Sequence, residues 1–155
     1  MTHLKIGDKS PDFKGTDQNG NIVKLGDFKG KKLVLYFYPK DSTPGCTAEA
    51  CNLRDNYKLL LDKGFAIVGV SADTEASHKK FSEKNNLPFP LIADTTKEII
   101  KSYGVWGEKK FMGRTFDGIH RTTFTISEKG IVEHIFEKVD TKNHTFQILT
   151  KMGYE

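Results

Sequence analysis

The fold is decided by residues 36–51, which read YFYPKDSTPGCTAEAC and hold both cysteines of the protein, Cys46 and Cys51. Residues 33–38 form a short, nearly unbroken apolar and aromatic run, which is typical of a buried strand. Pro39 ends this run, because proline cannot donate a hydrogen bond to a neighbouring strand. The first part of the stretch therefore predicts a buried strand that stops at Pro39.

The second part of the stretch predicts the start of a helix. Residues 41–43 are Asp, Ser and Thr, which are preferred at the helix N-cap. Pro44 suits the first helical position, since its missing N–H would have no intrahelical partner there. With Thr43 at the N-cap, Cys46 is the third helical residue.

This position of Cys46 favours a negatively charged sulfur. The N–H groups of a first helical turn lack intrahelical acceptors, and the helix macrodipole adds partial positive charge, so a thiolate is stabilised there. Cys46 is therefore a candidate nucleophile or redox centre. The alternative is a small buried apolar side chain, which is the usual role of a free cysteine.

Length, composition and charge limit the class of protein. At 155 residues, with ordinary apolar and charged fractions, we expect a single domain spanning 1–155. The net charge is +4 at pH 7, but lysine and arginine are spread along the chain, so we predict no nucleic-acid binding. The densest basic spots, 29–32 and 109–110, are typical of solvated turns.

The cysteine count indicates a cellular compartment. Two cysteines in a chain of this size do not form the disulfide framework of a secreted protein. Residues 1–13 have no apolar signal core and no stretch resembles a transmembrane span, so we predict a cytoplasmic protein without membrane association. Thiols are kept reduced in the cytoplasm, so a cysteine pair there is more often catalytic, redox-sensing or metal-binding than structural.

Strand and helix signals alternate along the chain. Residues 7–25 predict a small entry hairpin, and a helix over 44–63 follows the first central strand. Further strands are predicted at 65–71, 89–93, 121–127 and 131–138, and further helices at 74–86, 96–103 and 143–152. This order indicates an α/β protein with a thioredoxin-like fold, whose central mixed sheet has helices on both faces.

Two segments of this pattern concern the site. Residues 104–120 show no clear period, and we interpret them as an irregular loop and a candidate rim of the site. The alternative is that the aromatic residues of this loop are packing anchors. On the helix over 44–63, the 3.6-residue period puts Cys46 on the face that should pack on the sheet, while Cys51 falls on the polar side and should be partly exposed. The packed face contains five further residues: Ala50, Leu53, Tyr57, Leu60 and Leu61.

Three blocks of sequence carry a family resemblance. They are FYPKD at 37–41 with TPGCT at 43–47 and Cys51, then YGVWGEKK at 103–110, then GIHRTTF at 118–124. Together they resemble the peroxiredoxins, the thiol-dependent peroxidases, and within them the peroxiredoxin Q subgroup, also called bacterioferritin comigratory proteins. The similarity covers nearly the whole chain, from Gly7 to the closing helix.

The resemblance implies roles for five residues. Cys46 corresponds to the peroxidatic cysteine, whose thiolate attacks the peroxide and becomes a sulfenic acid, and Cys51 to the resolving cysteine that condenses with it. Pro39 and Thr43 correspond to residues that shape the pocket, the threonine hydroxyl binding the peroxide. Arg121 corresponds to the arginine that stabilises the thiolate and the peroxide oxygens.

The resemblance also implies partners. A peroxide is the substrate, thioredoxin or a similar dithiol protein is the reductant, and no cofactor or metal is implied. Because both cysteines lie on one predicted helix, their disulfide can form within one chain, and we expect a monomer.

The chemistry of the residues is consistent with these roles. Peroxide cleavage needs a thiolate and donors that steady the departing oxygen. Thr43 offers a hydroxyl, and Arg121 presents a permanently charged fork of donors. The alternative for Arg121 is a salt bridge with a carboxylate such as Glu49, and both roles are compatible because that partner would orient the guanidinium.

The spacing of Cys46 and Cys51 predicts a conformational change. In a continuous helix, residues five apart have Cα atoms about 8–9 Å apart and lie on different faces. A disulfide needs a Cα separation of about 4.4–6.8 Å. We therefore predict that oxidation to the disulfide unwinds the first turns of the helix.

Other functions remain open at this point. A thioredoxin-type disulfide oxidoreductase would have two residues between its cysteines and a cis-proline loop, whereas here four residues intervene and Thr122 follows Arg121. A copper-binding assembly protein would use thiolates and a distal histidine, but its cysteines are spaced by three residues. A sensory thiol switch without turnover is a third alternative. The histidines form no obvious ligand set with the cysteines; they are His3, His78, His120, His134 and His144.

Overall fold

The structure is a computed structural model that describes residues 2–154. Its strands, in chain order, are β1 (Lys14–Thr16), β2 (Ile22–Lys24), β3 (Lys32–Phe37), β4 (Phe65–Ser71), β5 (Leu91–Ala93), β6 (Trp106–Phe111), β7 (Arg114–Ile119), β8 (Thr122–Ile126) and β9 (Val132–Phe136). Its α-helices are α1 (Pro44–Asp55), α2 (Tyr57–Asp62), α3 (Glu75–Asn85), α4 (Glu98–Ser102) and α5 (His144–Lys151), and a short 3-10 helix spans Leu25–Phe28.

The central sheet has the strand order β5-β4-β3-β8-β9. Strands β3, β4 and β5 are parallel, whereas β8 and β9 join through antiparallel pairing. The hairpins β1–β2 and β6–β7 form separate two-stranded sheets. This arrangement puts β3 at the centre of the sheet, where its carboxyl end leads directly into α1.

Alternation along β3 divides the core into two layers. Successive side chains of a strand point to opposite faces of the sheet. Leu33, Leu35 and Phe37 belong to one buried apolar cluster. Val34 and Tyr36 belong to the other, and Tyr38 continues it just beyond the strand. The strand is therefore covered on both faces, as its unbroken apolar sequence predicted.

Helices cover both of these layers. Residues of α1, α2, α3 and α5 pack in the cluster that contains Cys46. Ile99 and Ile100 of α4 pack in the cluster on the opposite face. The predicted α/β class, with a central mixed sheet and helices on both faces, is confirmed. Among residues 2–154, no helix is both long and apolar enough to cross a lipid bilayer.

The single helix predicted over 44–63 is wrong in one respect. The chain leaves helical geometry at Asn56, which has φ −110° and ψ 16° and separates α1 from α2. The Asn56 side-chain amide donates to the Asn52 carbonyl at 2.9 Å, the acceptor that its own backbone N–H also uses. Such local side-chain bonds compete with helix geometry. Leu61, predicted on the packed face, is instead 46% exposed.

The irregular loop predicted at 104–120 is also wrong. Residues 106–119 form the antiparallel hairpin β6–β7, with Phe111 paired to Arg114 across a two-residue turn. Met112 and Gly113 in that turn both have positive φ, 50° and 78°, as in the tight turns that join twisted strands. Met–Gly is not a strong turn signal, and both strands are largely exposed, so neither composition nor alternation revealed them.

Candidate active site

The start of α1 is built as the sequence predicted. Thr43 is the N-cap with extended backbone angles, Pro44 is the first helical residue, and Cys46 is the third. The Cys46 side chain is 1% exposed and packs in the apolar cluster beneath α1. Its sulfur thus lies in the first turn, where unpaired N–H groups and the macrodipole favour an anion.

Strand pairing brings Arg121 to the same place. Strand β8 runs antiparallel to β3, and Thr122 at its start is paired with Phe37 at the end of β3. Arg121 immediately precedes Thr122, so it lies at the carboxyl end of β3, where α1 begins. Topology, and not sequence proximity, therefore places this guanidinium beside the first turn of α1.

Arg121 bridges Cys46 and Glu49. Its Nη2 donates to the Cys46 sulfur at 3.2 Å, and its Nη1 donates to Glu49 Oε1 at 2.7 Å. Burial alone would lower the pKa of Arg121, but the charges of Glu49 and Cys46 outweigh it and raise that pKa above its ordinary value. Both expectations for Arg121, contact with the cysteine and pairing with Glu49, hold at once.

Gly45 leaves room for this bridge. A Cβ atom at position 45 would lie 3.2 Å from Arg121 Nη2, closer than most side-chain contacts. Glycine weakens a helix interior, where alanine would be more favourable. The requirement for space beside Arg121 gives a physical reason for glycine between Pro44 and Cys46.

Glu49 is a wholly buried carboxyl group, 0% exposed. Burial raises the pKa of Glu49 from its ordinary value of 4.5 to about 7, although the charge and hydrogen bond of Arg121 act in the opposite direction. Near pH 7 the site therefore alternates between a neutral and a charged Glu49. The charged form of Glu49 partly neutralises the guanidinium of Arg121. When Glu49 is neutral, the guanidinium charge acts on the Cys46 sulfur without this compensation.

Behind Glu49 lies a histidine that the sequence did not single out. His144 Nε2 is 3.6 Å from Glu49 Oε2, and Thr123 Oγ1 is 2.8 Å from the same nitrogen. Burial lowers the pKa of His144 from 6.5 to about 4, so the ring is neutral at pH 7 and its contact with Glu49 is not a salt bridge. Position 144 shares a helix face with Ile148, so burial was predictable, but its partner was not.

Two buried oxygens face inward without partners. Glu49 Oε2 and the Tyr36 hydroxyl have no hydrogen-bond partner among the described residues. Burial raises the pKa of Tyr36 well above 10.0, and the charges of Glu49 and Cys46 add to this, so its hydroxyl stays neutral. Unpaired buried polar atoms are rare in folded proteins.

Pro39 and Thr43 lie on the loop that joins β3 to α1, and both are half-buried. Thr43 does not cap the helix with its side chain; its hydroxyl donates to the Lys40 carbonyl at 2.8 Å. That bond uses the only hydroxyl hydrogen, so the oxygen lone pairs remain available to accept a hydrogen bond. The Thr43 oxygen can therefore accept a hydrogen bond from a group that approaches Cys46.

Cys51 lies further along α1 and is half-buried, as predicted. Its sulfur donates to Asn85 Oδ1 at 3.6 Å, and Arg54 Nη1 donates to the Asn85 carbonyl at 2.7 Å. Both cysteines are free thiols within one continuous helix, Pro44–Asp55. The structure therefore brings four predicted site residues (Pro39, Thr43, Cys46 and Arg121) to the start of α1 and leaves Cys51 outside that group.

Comparison with known proteins agrees with this arrangement. The family model described as the AhpC/TSA family matches residues 6–135. The chain is 46% identical to Peroxiredoxin Bcp of Escherichia coli K12 over 144 residues, 93% of this chain and 92% of that protein. It is 44% identical to Peroxiredoxin Bcp of Bacillus subtilis over 146 residues, 94% and 93% of the two chains.

Solved structures agree as well. The bacterioferritin comigratory protein of Xanthomonas campestris, described in terms of its alkyl peroxide reduction activity, superposes with a TM-score of 0.87. The two are 33% identical, over 99% of this chain and 98% of that one. From its fold, its site and these relatives, the chain belongs to the AhpC/TSA family, within the peroxiredoxin Q or bacterioferritin comigratory group.

Proposed function

We propose that the protein is a thiol-dependent peroxidase that reduces hydrogen peroxide and organic hydroperoxides through Cys46. The observation that carries this proposal is the 3.2 Å contact of Arg121 Nη2 with the Cys46 sulfur in the first turn of α1. A cation and a helix N-terminus acting on one sulfur favour the thiolate, which is the attacking form of cysteine. The alkyl peroxide reduction described for the Xanthomonas relative supports organic hydroperoxides as substrates.

In the first step, the Cys46 thiolate attacks the nearer peroxide oxygen. The S–O bond forms as the O–O bond breaks, and the departing alkoxide or hydroxide takes up a proton and leaves as an alcohol or water. Arg121 would stabilise the negative charge as it moves from sulfur to oxygen. Thr43 would accept the peroxide O–H, since its own hydrogen is engaged by Lys40. Pro39, on the same loop as Thr43, would help to shape the peroxide pocket.

In the second step, the Cys51 thiolate attacks the sulfur of the Cys46 sulfenic acid. The S–S bond forms as the S–O bond breaks, and the departing hydroxide takes up a proton and leaves as water. Because both residues lie in one helix, α1 must first unwind in its amino-terminal turns. Contacts of Asn52 with α5 support a boundary to this unwinding, since Thr145 N–H donates to Asn52 Oδ1 at 2.8 Å.

In the third step, a dithiol protein such as thioredoxin reduces the disulfide with two electrons and two protons. Cys46 is 1% exposed, so no protein thiol reaches its sulfur while the site is folded. A disulfide formed by unwinding would carry the oxidised sulfur outward to such a reductant. The cycle closes within one chain and requires no second subunit. It needs a compartment in which dithiols stay reduced, which we expect to be the cytoplasm.

The test is peroxide consumption by wild type, Cys46→Ser and Cys51→Ser, with reduced thioredoxin as donor. We expect no activity from Cys46→Ser. Cys51→Ser should reduce one equivalent of peroxide and then stop turning over with thioredoxin. Reduction of insulin disulfides is the activity that a thioredoxin-type oxidoreductase would show. We expect the wild-type protein to lack this activity. An active Cys46→Ser protein would refute the proposed function.

A further inference from the structure

A second group of buried and half-buried polar residues lies beneath the loop that carries Pro39 and Thr43. Tyr38, Asp41, Ser77 and His78, here called the Asp41 cluster, join this loop to α3. Asp41 Oδ1 accepts from the Tyr38 hydroxyl at 2.6 Å, and Oδ2 accepts from Ser77 Oγ at 2.8 Å. His78 Nδ1 lies 2.7 Å from Asp41 Oδ2. The end of β3 and the first turn of α3 are therefore joined through one carboxyl group.

The hydrogen bonds of His78 fix its role in the Asp41 cluster. The side chain is 0% exposed, and Nε2 lies 3.0 Å from the Ile92 carbonyl, which only accepts, so Nε2 carries a hydrogen. A second proton must lie between Nδ1 and Asp41 Oδ2 at their separation of 2.7 Å. The histidine thus ties Asp41 to β5 through hydrogen bonds from both of its ring nitrogens in a site closed to water.

An alternative role for Asp41 and His78 is to bind a metal ion together with Asp73. Ligand atoms of Asp41, Asp73 and His78 lie within 4.8 Å of one another. However, both oxygens of Asp41 and both nitrogens of His78 already have hydrogen-bond partners. Asp73 Oδ2 is likewise engaged, by the backbone N–H of Asp41 and by Ser71. We therefore interpret these residues as a connection between elements.

The loop needs such a connection. Ser42 has φ 62°, in the left-handed region that costs a non-glycine residue free energy. Ser42 is exposed and stands directly between Asp41, which is 5% exposed, and Thr43. Strained residues persist where surrounding contacts hold them. Asp41 provides those contacts on one side, and the first helical hydrogen bond, from Thr47 N–H to the Thr43 carbonyl at 2.9 Å, provides them on the other.

We propose that His78, acting through Asp41, is a positioning residue that holds residues 39–43 in the folded form of the site. This inference rests on the proposed function. The peroxide step needs the loop in place, because Thr43 and the first turn of α1 must surround the substrate. The disulfide step needs α1 to unwind. The Asp41 cluster therefore favours the first step and opposes the second.

The experiment separates these two steps. Peroxide oxidation of Cys46 is measured by stopped flow in a Cys51→Ser background, using the fluorescence of Trp106, the single tryptophan. Disulfide formation is measured in the two-cysteine protein by quenched alkylation and mass spectrometry. The variants are His78→Gln and the milder Ser77→Ala. Lys79→Gln is the matched control, an exposed neighbour on α3.

We expect His78→Gln to lower the second-order rate constant for peroxide about tenfold, as loss of one buried hydrogen bond implies. The first-order rate constant for disulfide formation should rise several-fold. Ser77→Ala should shift both constants in the same directions by about threefold, and Lys79→Gln should leave both unchanged. If the folded variants keep the wild-type peroxide rate, or if both constants fall together, the inference is wrong.

Amide exchange in the reduced protein tests the inference without any peroxide. His78→Gln, or Ser77→Ala if His78→Gln does not fold, should speed exchange at 40–47 and leave β4 unchanged. Equal protection in variant and wild type would overturn the positioning role even if the peroxidase assays succeed. Faster exchange together with an inactive wild type would instead refute the proposed function and leave the structural role of the Asp41 cluster standing.

Discussion

Arg121 Nη2 lies 3.2 Å from the Cys46 sulfur, although 75 residues separate the two in sequence. The same guanidinium holds Glu49, a carboxyl group that is 0% exposed and that lies one turn beyond Cys46 on α1. A buried thiol, a buried carboxyl group and a partly exposed guanidinium therefore meet at one point. There, each charge changes the protonation of the others more than it would in water.

Removing the Arg121 guanidinium should slow the peroxide step. A hydrogen bond to a charged group contributes about 1.5–3 kcal/mol, so Arg121→Gln should lower the second-order rate constant by about 10- to 100-fold. Arg121→Lys keeps the charge but cannot bridge Cys46 and Glu49 at once, and we expect an intermediate rate. Stopped-flow oxidation of Cys46 gives the rate constants. Arg114→Gln, on exposed β7, is the control, and a normal rate for Arg121→Gln would contradict the proposed role.

The Thr43 side chain should affect the peroxide rate constant through the hydrogen-bond acceptor that its oxygen provides, and not through its volume. Thr43→Val keeps the volume but removes the acceptor beside Cys46, and we expect a fall of about tenfold in the same rate constant. Thr43→Ser keeps the hydroxyl and should stay within about threefold of wild type. Circular dichroism should show both variants folded, because the Thr43 side chain makes no helix-capping hydrogen bond. Equal rates for the valine and serine variants would exclude the acceptor role.

Oxidation to the disulfide should expose the start of α1. Hydrogen exchange of residues 42–54 should be faster in the oxidised than in the reduced protein, because Cys46 and Cys51 cannot bond within an intact helix. The hydrogen bonds between Asn52 and Thr145 of α5 should limit the change toward the end of α1. Strand β4 serves as the internal control. Unchanged protection at 42–54 in a protein whose disulfide is verified by mass would refute the unwinding.

Glu49 should make the protein less stable as pH rises from 4.5 to 7. In this window the folded state keeps a proton that the unfolded state has lost, because burial raises the folded pKa of Glu49 to about 7. Stability therefore falls with increasing pH, by an amount on the order of 3 kcal/mol. Glu49→Gln removes this contribution while keeping a polar side chain beside Arg121.

Urea unfolding of wild type and Glu49→Gln at pH 4.5, 6 and 8 measures the effect. The difference in free energy of unfolding should move in favour of the variant as pH rises, and should level off above pH 7. The lowered pKa of His144 acts in the opposite sense, making wild type less stable on acidification from 6.5 to 4. Both proteins keep His144, so its own desolvation is common to the two and the difference reports position 49 together with its 3.6 Å contact to His144. A difference that does not vary with pH would show that Glu49 ionises normally.

The sequence by itself determined the local parts of this protein. The apolar run at 33–38, the N-cap at Thr43 and the proline at 44 specify a strand, a turn and a helix start through short-range sterics and hydrogen bonding. Those rules placed Cys46 in the first turn and Cys51 on a more exposed side. They failed at Asn56, where one side-chain amide competes with the helix, and at 106–119, where exposed strands pair through a weak turn signal.

The family resemblance named Arg121 as a partner of Cys46, but only the tertiary structure decided how the distant groups meet at this site. The antiparallel register of β8 on β3 sets Arg121 beside α1, and the packing of α5 sets His144 behind Glu49. The depth of burial that shifts the pKa of Glu49 follows from this packing, and so does the Asp41 cluster that joins the active-site loop to α3. Such contacts depend on the relative placement of whole elements, which one-dimensional periodicity does not contain.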